Sequence, residues 1–295
     1  MASLRVALFL AGRALWRGSR GVLVMTIVLM GLIYAQLLFV PALIAGATDE
    51  IEAALRDDLS GSVAISPPEG ALVIDDAGSV VDAARSTPGV LAATPAVLAG
   101  TQVSASDRTG SWSVQAVDPE SYAEVFTIPD ALVAPRFLDP DATDEIVLGL
   151  GVAGAGVTDE PTYRASLRSV VVGDSVQVTM VGGAVASFEV VGIYDTDLTQ
   201  PNNLGLVSAA GAAAAAPARA DQASVVYLRT EVGDEDAAIA ALRADRPDLR
   251  YEPWQALQAT VADLTGSFDV NGGILRAGPL LVAAVTVFIR PLRDL

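Results

Sequence analysis

Two stretches of the chain carry residue types and spacings that could do chemistry. Gly149-Leu150-Gly151-Val152-Ala153-Gly154 fits GxGxxG, and Asp174 follows the last glycine after 20 residues. That pattern is the formal fingerprint of a dinucleotide-binding turn, which needs a helix directly after it to hold the pyrophosphate at its N-terminus. Pro161 interrupts any such helix, so the run reads as a glycine-rich loop. Asp139, Asp141, Asp144 and Glu145 form an acidic cluster of the kind that could ligate calcium. The EF-hand spacing fails: the sixth position from Asp139 is Asp144 rather than glycine, and the twelfth is Leu150 rather than glutamate. A solvated acidic loop is the expectation.

Composition removes most other chemistry. The 18 basic residues are all arginine, and the chain has no Lys, His or Cys. A Ser-His-Asp triad, a Ser-Lys dyad and a Schiff base are therefore excluded. So are ordinary zinc, haem and iron–sulfur ligation. Paired carboxylates of the glycosidase type are permitted by residue type, but no pair stands out by spacing or beside an aromatic sugar platform. No catalytic, cofactor-binding or metal-ligating residue is assigned, no cofactor is expected, and the chain is not expected to be an enzyme.

The charge is distributed in blocks. The net charge of −17 divides into +4 over residues 1–47, −23 over 48–272 and +2 over 273–295. From Gly21 to Gly46 there is no charged side chain. A basic end, an apolar run long enough to cross a bilayer and then an acidic segment is the order that the positive-inside rule gives for a cytoplasmic N-terminus. The expected organisation is a cytoplasmic basic amphipathic segment at 1–20, a transmembrane helix at 21–46 and an extracytoplasmic domain at 47–271. A second transmembrane helix follows at 272–289, with Arg276 snorkelling in its first turn, and then a cytoplasmic tail at 290–295. The rival for the first segment is a signal peptide cleaved after Ala45-Gly46-Ala47, but its apolar run is about twice the usual 7–15 residues. Localisation follows: plasma or inner membrane, multi-pass, both termini inside, the large domain outside. The acidic exterior with few aromatics argues against a nucleic-acid partner.

Between the spans the pattern is mixed α and β. Ile51, Leu55 and Leu59 recur every four residues, and Leu257, Val261, Leu264 and Phe268 form a second stripe, so two amphipathic helices could pair as a stalk. Strands are expected at Val63–Ile65, Val114–Val117, Ile146–Leu148 and Gln222–Leu228. A hairpin is expected through Gly182-Gly183, joining Ser175–Val181 to Ala184–Ile193. Helices are expected at Val80–Arg85 and from Asp234 to Arg243, with Asp234 as the cap and Glu235 and Asp236 in the first turn. The run Ala209–Ala216, stopped by Pro217, reads as a short helix or a linker.

Read in order, the basic segment, the long span, SVAISPP (62–68), VDAARSTPGVLAATPAV (81–97), VQAVDPESYAEVFTIP (114–129), DEIVLGLGVA (144–153), VVVGDSVQV (170–178), FEVVGIYDTD (188–197) and the second span form a pattern. It resembles FtsX-like ABC transporter permeases with a MacB-type periplasmic core domain, from about residue 3 to 289. The resemblance implies a membrane protein with two transmembrane helices flanking an extracytoplasmic mixed α+β domain on a helical stalk. It implies a β-rich lobe at about 141–210, the other lobe coming from 60–140 and 220–255. It further implies a permease subunit that transmits motion from a cytoplasmic ABC ATPase, working as a homo- or heterodimer in the lipid bilayer. Members of the family continue into two further spans. Only RPLRDL (290–295) follows the second span here, so either the chain is a truncated or split permease or its ATPase contacts come from elsewhere. The alternative is a two-span membrane-anchored binding module without ATPase coupling.

Overall fold

The computed structural model describes residues 20–106, 108–154, 166–168, 170–180, 183–196, 198–215 and 221–256. The expected segments at 1–19, the stripe from Leu257 to Phe268, and the span and tail at 272–295 lie outside these. The chain divides into two compact units, 1–50 with 261–295 and 51–260.

In the first unit the described element is the helix α1 (Arg20–Ala54), whose last residues enter the second unit. Its 35 residues include Pro41 and the whole charge-free run, and the helix continues eight residues beyond Gly46. Ile27, Val28, Leu29 and Met30 are each more than half exposed in succession, as are Tyr34, Leu38, Phe39 and Leu43. Four consecutive residues cover all sides of a helix, so α1 has no polar face to turn to water. Taken over the described residues alone, no helix is long and apolar enough by hydropathy to cross a membrane. Several side chains of α1 lie outside that description, whereas its sequence is uncharged throughout the run.

The second unit is mixed α and β. Its strands are β1 (Val63–Ser66), β2 (Val90–Ala105), β3 (Arg108–Val117), β4 (Leu132–Pro135), β5 (Glu145–Gly149), β6 (Ser175–Met180), β7 (Val185–Tyr194), β8 (Leu204–Ser208), β9 (Val225–Thr230) and β10 (Arg250–Pro253). Its helices are α2 (Ala77–Arg85), α3 (Pro119–Val125), the short α4 (Leu150–Ala153) and α5 (Thr199–Asn202), α6 (Ala209–Ala215) and α7 (Glu235–Asp245). Two lobes grow from one long hairpin.

The first lobe is a four-stranded antiparallel sheet in the order β10-β1-β9-β2, with α2 joining β1 to β2 and α7 joining β9 to β10. This is the split βαβ arrangement of ferredoxin-like folds. Alternation on β1 buries Val63 and Ile65. They share a core with Val80, Val81 and Ala84 of α2, Val226 and Leu228 of β9, and Ile239 and Leu242 of α7. Both helices therefore cover one face. The opposite face is covered by α3 and the turn after it, where Tyr122, Val125, Phe126 and Ile128 are buried against Ala92, Ala96 and Val117.

The second lobe is inserted between β2 and β9. Beyond Ala96↔Val225 the strand β2 leaves β9, and from Thr101↔Met180 it pairs with β6 instead. The ladder then runs β6–β7, β7–β5, β5–β8, β8–β3 and back to β2, which closes six strands into a small barrel. Closure removes the sheet edges. Val103, Val114, Ile146, Leu148, Val176, Val178, Phe188, Val190 and Val207 fill the interior, as expected where a barrel is narrow enough for side chains to pack it. The barrel thus takes the outer half of the β2–β3 hairpin in addition to strands from 145–208.

Candidate functional site

Two places in the second unit combine polar side chains with a mechanical or binding geometry. The first is the junction by which α1 enters the domain. After Ala54 the helix widens into a π-helical turn, Leu55–Ser60, and Leu55 and Ser60 are buried. Such turns insert an extra backbone position and are frequent at functional sites. The Ser60 hydroxyl donates to the Leu55 carbonyl at 3.1 Å and so closes the widened turn. Gly61 follows with φ 64° and ψ −172°, a backbone region open essentially to glycine alone. A Cβ there would sit 2.7 Å from the Leu228 carbonyl oxygen. The same carbonyl accepts from the Ser62 amide at 2.7 Å, while the Ser62 hydroxyl accepts from the Thr230 amide at 3.0 Å. The Ser62 carbonyl in turn accepts from the Trp254 amide at 3.1 Å. One residue therefore ties the incoming chain to β9 and to the end of β10.

Side chains brace this tie. The Thr127 amide donates to the Asp57 carbonyl at 2.9 Å, and the Thr127 hydroxyl donates to the Asp58 carboxylate. Asp57 pairs with Arg56 at 3.1 Å and with Arg229 at 3.7 Å. The hydrogen bond from Arg56 to Asp57 raises the arginine pKa, and the more distant Glu235 adds to the same direction. Glu235 is buried and accepts from the Trp254 indole at 3.2 Å and from the Gly233 amide at 3.0 Å. Asp234, the expected cap of α7, makes no capping hydrogen bond. Glu235, the next residue, accepts the Gly233 amide instead, and the Asp234 side chain lies beside Gly89.

The second place is a cleft of about 1050 Å³ beside the stretch where the hairpin passes from one lobe to the other. Trp112, Gln115, Tyr122, Tyr227, Gln102, Gln200 and Asn203 are among its lining residues, and Asp58 is its one charged residue. Burial raises the phenol pKa values, Tyr227 to about 12 although a hydrogen bond to Gln115 works against the shift, and Tyr122 well above the usual range. A further cavity of about 560 Å³, lined mainly by small apolar residues, also borders β2.

The sequence motifs acquire structural roles. In the GxGxxG run, Gly149 ends β5 and Gly151 lies in α4. A Cβ at Gly149 would collide with the Asn202 backbone, and one at Gly151 would lie 2.6 Å from Asn203 Oδ1. These glycines let β5 and α4 lie against the 202–203 backbone, and Asp174 accepts from the Val171 amide at 2.9 Å in a local turn. In the acidic cluster, Glu145 forms a two-pronged pair with Arg136 and also accepts from the Asp139 amide at 3.1 Å. Asp139 accepts from the Asp141 amide at 3.0 Å. Among the described residues, no group of three or more His, Cys, Asp or Glu side chains is placed to hold a metal ion. Sequence reasoning missed both the junction and the cleft. The Ser60-Gly61-Ser62 triplet carried the only local signal of the first.

No family model and no curated protein matches the chain. Among solved structures, the chain is similar to the periplasmic region of MacB from Actinobacillus actinomycetemcomitans. Identity is 9%, the TM-score is 0.47, and 68% of this chain and 93% of that one are covered. It is also similar to the extracellular domain of the noncanonic ABC-type transporter YknZ from Gram-positive bacteria, at 11% identity and TM-score 0.44, covering 65% and 97%. A domain of a putative permease protein from Porphyromonas gingivalis matches at 16% identity and TM-score 0.41, covering 64% and 88%. These are domains of the kind that the sequence resemblance names. At such identities and overlaps none of the three decides a function for this chain.

Proposed function

We propose that this chain is the permease subunit, or part of one, of an ABC-type export or mechanotransmission system. In this reading α1 crosses the bilayer from a cytoplasmic N-terminus and the 47–271 domain stands outside. A second span at 272–289 returns the chain to a cytoplasmic tail at 290–295. The single observation that carries the reading is α1 itself: a 35-residue helix, apolar on all sides over its charge-free run, leading directly into the clamped junction. Such a helix finds its surroundings in lipid. Displacement of α1 would reach β9 through Gly61 and Ser62, and would reach α3 and its core through Thr127. The drive would come from a cytoplasmic ABC ATPase, and the assembly would be a homo- or heterodimer of permeases. The chain would carry out no reaction itself.

The test is purification of the tagged chain from its native membrane in mild detergent, with identification of what accompanies it. A cytoplasmic ATPase at comparable abundance is the expected result. A stable, membrane-inserted chain with no ATPase would overturn the coupling and leave a two-span anchored binding module.

A further inference from the structure

We infer that the 1050 Å³ cleft is a binding site for a neutral saccharide. The inference stands on the lining chemistry and does not depend on the permease reading. Its floor is the half-buried Trp112 on β3. Two residues before it, on the same face of the strand, is Gly110, where a Cβ would collide with the outer atoms of the indole. The missing side chain makes room for the outer atoms of the indole beside Gly110, while Trp112 also packs against the barrel core and leaves its exposed part to line the cleft. A partly exposed aromatic side chain on a strand offers apolar surface to the apolar face of a pyranose ring.

The polar rim fits the same ligand. Gln102, Gln200 and Asn203 bring carboxamides, each with donors and an acceptor, and Thr101, Ser111 and Ser113 add hydroxyl groups. Asn203 is held in place by donating to the Thr199 carbonyl at 2.8 Å, whereas the exposed Gln102 and Gln200 side chains make no hydrogen bond among the described residues. A set of neutral groups that both donate and accept is what hydroxyl groups require, since each hydroxyl also does both. Among the described lining residues there is no arginine and Asp58 is the one charge, which disfavours phosphate, carboxylate or sulfate ligands. The polar rim also makes it a poor seat for a purely apolar ligand, because covering the amides with apolar surface would strip them of water without giving partners. Its volume lies at the upper end of small-molecule sites and suits an oligosaccharide of a few rings.

The experiment is isothermal titration calorimetry on the full chain in detergent. The probes are maltotetraose and N,N′,N″-triacetylchitotriose, with a sulfated saccharide and a neutral apolar peptide for comparison. Saturable binding of at least one neutral saccharide is expected. Trp112→Ala should weaken it by about tenfold or more, and the paired change Gln102→Ala with Gln200→Ala should weaken it several-fold. Trp112→Phe, which keeps a ring, should recover part of the affinity. Both glutamines are exposed and make no hydrogen bond among the described residues, so the paired change leaves the fold intact even if Trp112→Ala does not. No heat with either neutral saccharide, binding of the peptide or the sulfated saccharide alone, or saccharide binding unchanged in the glutamine variant would each overturn the assignment.

Discussion

Replacing Gly61 by alanine tests whether the junction depends on one backbone conformation. Alanine at φ 64° and ψ −172° occupies a region that costs a residue with a side chain about 1–3 kcal/mol. The new methyl would also stand 2.7 Å from the Leu228 carbonyl oxygen, a backbone atom that cannot turn aside as a flexible side chain would. Relief requires that carbonyl to move, which stretches its 2.7 Å bond from the Ser62 amide and forfeits about 1 kcal/mol more. The sum is about 3 kcal/mol, or roughly 6–12 °C in melting temperature for a domain of this size. Differential scanning of the full chain in detergent would read the loss. Hydrogen exchange would localise it, with the Ser62 and Thr230 amides exchanging faster and the barrel amides unchanged. Gly78→Ala is the control: Gly78 lies in α2 with a negative φ and open space around the added methyl, so that variant should gain up to about 1 kcal/mol. If Gly61→Ala melts within about 1 °C of wild type, the glycine-only reading of the junction is wrong.

Tyr194→Phe should cost about 1–3 kcal/mol, because the buried hydroxyl is shared between the Pro201 and Leu204 carbonyls at 2.8 and 2.9 Å; urea unfolding checks it. The hydrogen bond from Arg136 holds the Glu145 carboxyl below its ordinary value. That pair therefore stabilises the fold above the unfolded carboxylate pKa and loses its contribution as the pH falls through the lower folded value. Glu145→Gln should flatten this part of the acid dependence, and an unchanged stability-against-pH curve would count against the pair. Asp57→Ala should cost less than about 1 kcal/mol in denaturant, since its partners Arg56 and Arg229 are partly exposed. The same substitution should leave saccharide affinity unaltered.

The sequence expectations held best where periodicity was local. Val63 and Ile65 alternate, Val80, Val81 and Ala84 share one helical face, and the paired glycines sit between β6 and β7, so β1, α2 and that hairpin were legible. The GxGxxG run was read as a glycine-rich loop, but the packing reason for its glycines was not available. They make room for the 202–203 backbone, roughly 50 residues further on, and no window of neighbouring residues contains that contact. Asp234 was expected to cap α7 because a side chain of its type favours that position; it does occupy the N-cap, but its side chain makes no capping hydrogen bond. The cleft was invisible, since Trp112, Gln200 and Tyr227 meet only when the barrel closes against the sheet.

The insertion of the barrel between β2 and β9 sets an order on biosynthesis. All six barrel strands lie between residues 101 and 208, so the barrel can close while the rest of the chain is still being made. The ferredoxin-like sheet cannot, because β1 and β2 are separated in it by β9, and Ala96 waits for Val225, about 130 residues later. Until then the two early strands and α2 expose the faces and edges that β9 and α7 will cover. This late-filled gap at the centre of a sheet is where the nascent protein is most open to mispairing. Slow folding of the first lobe follows from the connectivity alone, whatever the stability of the finished domain.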